Sequence, residues 1–393
     1  MAQLLTMLSL SVYAAQLPEL SRIFGLSNTQ AGWIGAAYFA GYTLTVPVLV
    51  SLTDRIDPKR VYMLGSALLV LGCLLFATQA QGAWSAALFH AIAGAGLAGT
   101  YMPGLKGLVD HMDDAYHSRA VAYYTASFGL GAGASYPFSA YLGDSLGWQA
   151  AFVGTAVSAA LAGVLVCLLL PAARPEALNI ASTRLLDFRP VLRNRAALAY
   201  TMGYAMHCWE LFGMRTWVVA YLVYAERLHG AAPGLLSPAI VAALLTFIGV
   251  PASIIGNEWS MRFGRLRVIC LIMTASAVVC GVMGFAAEIS YWAAVIMCLI
   301  HGIVVILDSA SLTAGALGNA DPGYRGATMA VHAMLGFGGA TLGPLAFGWL
   351  LDLSGGQSFA GWWVAFMHMG LVQIAGIVIL VLLKPPPVTG DRR

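Results

Sequence analysis

Charge is what this sequence has least of. Lys, Arg, Asp and Glu make up 9% of its 393 residues, while 60% are hydrophobic. A soluble domain carries roughly 25% charged residues. A chain this poor in charge cannot cover a water-exposed surface of its own size. A bilayer removes the requirement, because lipid solvates apolar side chains directly. Inside lipid the backbone must satisfy its own hydrogen bonds, which leaves helices or a closed barrel. The alternation expected of barrel strands, in stretches of about ten residues, is missing. Long unbroken apolar runs stand in its place, so the chain reads as an all-α integral membrane protein.

Other absences narrow the reading. The six cysteines, Cys73, Cys167, Cys208, Cys270, Cys280 and Cys298, show no metal-type spacing and fall inside apolar runs. They read as small apolar filler, not as a disulfide framework. There is no Gly-x-x-x-x-Gly-Lys-Ser/Thr loop, which argues against an ATP-driven pump. His-Glu-x-x-His is missing too, and the chain does not read as an enzyme. No cofactor and no nucleic-acid partner are implied.

A span needs roughly 20 apolar residues. Reading between charged or turn-rich breaks predicts twelve spans: 1–17, 28–52, 61–80, 84–105, 119–142, 147–171, 197–224, 235–259, 266–287, 290–313, 326–351 and 359–383. The breaks are turn-like, as at Asp57-Pro58, Asp321-Pro322-Gly323 and Ser354-Gly355-Gly356. Seventeen of the twenty Lys and Arg residues then fall in even-numbered loops or the C-terminal tail. Odd-numbered loops hold only Arg22 and Arg227, and Arg215 lies within a span. Cytoplasmic loops are enriched in Lys and Arg. The expectation is a multi-pass protein of the cell (inner) membrane with both termini cytoplasmic.

The second half repeats the first. An offset of 207 residues lays Asp54-Arg55-Ile56-Asp57 on Met261-Arg262-Phe263-Gly264, Gly129 on Gly336 and Pro137 on Pro344. This predicts a six-helix bundle over 1–171, a cytoplasmic linker over 172–196, a second bundle over 197–384 and a tail over 385–393. Two repeats around a central path are a recurrent transporter plan. At this offset the first span would begin before Met1, so it is expected to be truncated rather than short.

Three motifs carry a family resemblance. The loop after the second span reads Thr53-Asp54-Arg55-Ile56-Asp57-Pro58-Lys59-Arg60, the fourth has His90-Ala91-Ile92-Ala93-Gly94-Ala95-Gly96, and the eleventh has Gly339-Ala340-Thr341-Leu342-Gly343-Pro344. With the span count and the repeat, the chain resembles the major facilitator superfamily. Departures are His90 where the family often has arginine, and a fifth span that keeps Gly133 and Pro137 but not the second glycine. The resemblance implies alternating access by rocking of two halves. It also implies a cytoplasmic gate of Asp54, Arg55, Lys59, Arg60 and Asp110, with Asp54 near the start of the eleventh span and a basic loop residue meeting Asp110. Gly133, Pro137, Gly339, Gly343 and Pro344 are expected to serve close packing and helix bending.

Ionisable groups at membrane depth are costly and mark a pathway. The seventh span is densest in them. His207 and Glu210, three apart, share a face. Arg215, five from Glu210, lies about 140° round the helix and points elsewhere. Asp308 is the other acid deep in a span, a candidate proton carrier or partner for Arg215. His90, His301, His332 and His368 also lie in spans, and His90 and His332 are placed with the substrate or proton pathway by their motifs. Met202 and Met206, one turn apart beside His207, offer soft ligands of the kind that suit Cu(I).

These features predict a secondary transporter acting as a monomer. It would move a small, anionic organic solute by alternating access, coupled to protons, with Arg215 as the anion anchor. The alternatives are a copper or other soft-metal importer, a drug-type efflux antiporter, and a non-transporting membrane receptor.

Overall fold

The structure, a computed structural model, describes residues 1–53, 55–172, 188–230, 234, 236–321, 324–388 and 391. Asp54, Arg174, Arg184, Arg392 and Arg393, most of the predicted linker, and the Arg119 side chain lie outside the described residues.

In chain order the helices are α1 (Ala2–Met7), α2 (Val12–Phe24), α3 (Asn28–Leu52), α4 (Pro58–Gln79), α5 (Ala83–Val109), α6 (Asp114–Leu146), α7 (Trp148–Leu169), α8 (Arg189–Arg193), α9 (Arg195–His229), α10 (Pro238–Phe263), α11 (Arg265–Ile289), α12 (Tyr291–Val304), α13 (Ser309–Gly318), α14 (Arg325–Leu353) and α15 (Phe359–Leu383). This is the twelve-helix fold. The first and tenth spans are each built from two helices, and α8 is a short helix ahead of α9.

The first span differs from its expectation in both length and continuity. It runs on to Phe24, where Gly25 closes α2 in the left-handed region at φ 60°. Glu19 and Arg22, beyond the predicted end at residue 17, pair at 2.6 Å on the exposed end of the helix. At the break between α1 and α2, Ser135 of α6 stitches the chain. Its hydroxyl donates to the Leu8 carbonyl at 2.6 Å and accepts from the Ser11 amide at 3.1 Å. The turn signal at Asp57-Pro58 acts as read, while Pro322 and Gly323 lie outside the described residues. Asp57 caps α4 by accepting from the Lys59 amide at 2.9 Å, with Pro58 in the first helical position, where a missing N–H costs nothing.

The chain divides into two compact units. The first holds Met1–Leu26 and Trp33–Arg184, the second Ser27–Gly32 and Leu185–Arg393. In the first, α4 packs against α5 and α7. Gly65 and Gly99 let the α4 and α5 backbones touch, and the Ser66 hydroxyl donates to the Ala159 carbonyl of α7 at 2.7 Å. In the second, α14 lies along α9, and a Cβ on Gly339 or Gly343 would run into the backbone carbonyl of Ala205 or Trp209. Pro137 and Pro344 lie inside α6 and α14, so the carbonyls of Gly133 and Ala340, four residues earlier, have no helical donor.

Eight of the described spans are long and apolar enough to cross a membrane by length and composition. Their outer faces carry Leu44, Leu71, Leu168, Val278, Ile296 and Leu382, all exposed, while Glu210, His301 and Asp308 are buried. Apolar outside with ionisable groups inside reverses the usual soluble arrangement and fits lipid as the solvent.

Candidate functional site

The second unit's buried polar groups converge on α9. Asn194 starts this helix, its side chain accepting from the Ala197 amide at 3.0 Å. Thr201, Tyr204, His207 and Glu210 follow at spacings of three, so each neighbours the next while the row drifts about 60° round the helix at every step.

Glu210 is fully buried. One of its oxygens, Oε1, accepts three hydrogen bonds, from Ser276 Oγ at 2.6 Å, His301 Nε2 at 2.8 Å and Cys280 Sγ at 3.1 Å. The donors come from α11 and α12, so three helices meet at one carboxylate. The other oxygen, Oε2, is buried and has no hydrogen-bond partner among the described residues.

One turn along α9, His207 Nδ1 lies 2.7 Å from Asp308 Oδ1, both groups buried. The approach is not aligned as a hydrogen bond, so it works as charge pairing when the imidazole is protonated. Asp308 stands where the tenth span breaks. α12 ends at Val304, α13 begins at Ser309, and the turn between them is held by short bonds such as Leu307 N to Val304 O at 3.3 Å and Ser309 N to Ile306 O at 3.2 Å. The local reason is in the sequence. Ile303-Val304-Val305-Ile306 is a run of β-branched residues, which favour helix weakly, and Asp-Ser after it suits a new helix start. Asp308 holds the position before α13, yet its side chain makes no capping bond. The carboxylate is left to His207.

A stack of rings extends the network. The Tyr204 ring lies 5.5 Å from that of His207 and 4.0 Å from that of His332, both stacked. His332 contacts Thr313 Oγ1 at 3.2 Å and Thr201 Oγ1 at 3.5 Å. Of the predicted pathway residues, His207, Glu210, Asp308 and His332 thus belong to one buried assembly. Arg215, half-buried, holds its guanidinium over the Phe212 ring at 5.6 Å. Asp308, considered as its partner, faces His207 instead.

His90 belongs to the first unit's core. Its Nδ1 meets the Ile34 carbonyl at 2.8 Å, and its ring sits among Tyr13, Tyr38 and Phe76. Met206 packs in the apolar cluster around Met273 and Leu380. In the expected gate, Asp110 pairs with Lys106 at 3.1 Å rather than with the basic loop, because the two stand one turn apart on α5. Lys59 donates to the Leu170 carbonyl at 2.7 Å, while Arg55 and Arg60 are exposed. Sequence reasoning left Ser276, Cys280, Thr201 and Thr313 out, and did not place His301 with Glu210. Small polar residues in apolar spans carry no signal of their partners.

The fold is a twelve-helix membrane architecture in two units, with paired carboxylates and imidazoles buried in one of them. The chain matches the profile of the Major Facilitator Superfamily over residues 1–336, and it belongs to that family. It is 29% identical over 147 residues to the hexuronate transporter of Escherichia coli (strain K12), covering 37% of this chain and 34% of that protein. It is 24% identical over 141 residues to a probable sphingolipid transporter, spinster homolog 1, of Arabidopsis thaliana, covering 35% of this chain and 28% of that one. The matched region thus spans about a third of these relatives' length. Among solved structures it is similar to a bacterial homolog of the human lysosomal transporter Spinster in an inward-facing and occupied conformation, with a TM-score of 0.73 at 16% identity, covering 97% of this chain and 93% of that one. It is also similar to the nucleoside transporter NupG, with a TM-score of 0.72 at 14% identity, covering 97% and 98%. At these identities the solved structures speak for the fold.

Proposed function

We propose that the chain is a secondary active transporter that moves a small, anionic organic solute across the membrane by alternating access, coupled to protons. Family membership and named transporters among its relatives support the transport reading. The observation that carries the coupling is the placement of two acid–imidazole pairs, Glu210–His301 and His207–Asp308, between α9 and an interrupted helix. Interrupted spans are where transporters of several folds place their substrate and ion sites. A buried carboxylate–imidazole pair can hold or release a proton with little movement of heavy atoms.

The anionic character of the solute rests on Arg215, a permanent cation within the span that carries both pairs. A hexuronate, the solute in one relative's name, is a sugar carboxylate of this class. The Lys and Arg distribution supports cytoplasmic termini and an inner-membrane location. A single copy contains both six-helix halves, which supports action as a monomer.

The test is uptake by proteoliposomes under an imposed pH gradient, screened with hexuronates and other small carboxylates. The expected result is gradient-dependent uptake that Glu210→Gln uncouples and Arg215→Ala weakens for anions. Normal transport by both variants would remove the proposed site.

A further inference from the structure

We propose that Glu210, Cys280 and His301 form a binding site for a divalent cation of the zinc class. Among the described residues this is the group of three metal-type donors that converges, with its ligand atoms within 4.8 Å of one another. The three side chains come from α9, α11 and α12, and all are fully buried.

The chemistry of the donor set selects the ion. A carboxylate oxygen, an imidazole nitrogen and a thiolate sulfur are the three protein ligand types of zinc, at about 2.0–2.3 Å from the metal. Hard cations such as Mg2+ and Ca2+ would forgo the sulfur and the nitrogen. A tetrahedral centre separates its ligands by roughly 3.3–3.6 Å. Here His301 Nε2 and Cys280 Sγ stand 2.8 and 3.1 Å from Glu210 Oε1. Those two donors need to part from Oε1 by only about half an ångström to admit the ion, and all three ligand atoms already lie within 4.8 Å of one another. Glu210 Oε2, buried without a hydrogen-bond partner among the described residues, offers a further ligand atom. Ser276, 2.6 Å from Oε1, holds the carboxylate in place.

Charge balance favours a divalent ion at membrane depth. A carboxylate, a thiolate and a neutral imidazole carry two negative charges, which a divalent ion neutralises. The loaded cluster is neutral, so the ion leaves no uncompensated charge in a low-dielectric interior. The sulfur keeps its oxidation state, and the thiol proton leaves to solvent as the thiolate forms.

The site stands on its donors, independently of the transport reading, and is tested without transport. Purified, tag-free full-length protein in detergent is titrated with Co2+ as a spectroscopic stand-in for Zn2+, while released protons are followed in weak buffer. The expected result is a saturable near-ultraviolet thiolate-to-cobalt band with tetrahedral bands in the visible, displacement by Zn2+, and proton release on binding. Cys280→Ser loses the thiolate band, His301→Gln weakens binding at least about tenfold, and Cys298→Ser, a buried cysteine outside the cluster, keeps the spectrum. No saturable spectrum in the parent protein would overturn the proposal. So would a thiolate band that persists in Cys280→Ser.

Discussion

At Glu210 three hydrogen bonds land on a single carboxylate oxygen in a side chain with no exposure. Such a group is stable in lipid-surrounded protein only while its partners remain. Removing one partner of a buried pair costs about 3–5 kcal/mol, whereas replacing both with apolar groups of similar volume is often neutral. His301→Leu is therefore expected to lower stability by about 3–5 kcal/mol, and Glu210→Leu combined with His301→Leu to recover most of the loss. Thermal unfolding in detergent measures both; equal loss in the single and double variants would argue against the pair. His207, Glu210 and Asp308 were legible in the sequence, because an ionisable group in an apolar run stands out on cost alone. Their pairing was not. Ser276, Cys280 and His301 sit 66, 70 and 91 residues from Glu210, and nothing local marks which helix faces α9.

Helices, too, were read unevenly. Most boundaries followed caps and charged turns, as at Asp57-Pro58. The division of the tenth span into α12 and α13 was missed, since no proline or glycine stands between Val304 and Ser309. The β-branched run that weakens the helix there reads, on hydrophobicity alone, as ordinary membrane filler. The helix-packing glycines were legible as a motif, and the structure shows what they touch. Gly339 presses on the Ala205 carbonyl of α9, while its neighbour Gly338 faces open space. Gly339→Leu is expected to cost at least about 1–3 kcal/mol through overpacking. Gly338→Leu is expected to stay within about 0.5 kcal/mol of the parent. Thermal stability and the yield of monodisperse protein measure the difference, and similar values for the two would show that the α9–α14 contact does not depend on the small residue.

For the whole molecule, composition alone was enough to demand lipid, and the apolar runs between charged or turn-rich breaks were enough to give twelve spans. Family membership through residues 1–336 agrees. What the chain carries was not legible. A solute is read by a few polar groups placed across several helices, and their arrangement has no linear pattern. Proteins named for hexuronates, sphingolipids and nucleosides all resemble this chain, as expected when function resides in the site rather than in the architecture.

The central claim is that solute movement and proton movement are one process, run through the acid–imidazole pairs of α9. The direct test imposes a solute gradient across proteoliposomes with no initial pH gradient and reads the internal pH. The parent is expected to shift internal pH as solute crosses, with the direction distinguishing symport from antiport. Asp308→Asn is expected to exchange solute without moving protons. Solute that crosses through the parent with no change in internal pH would contradict the account.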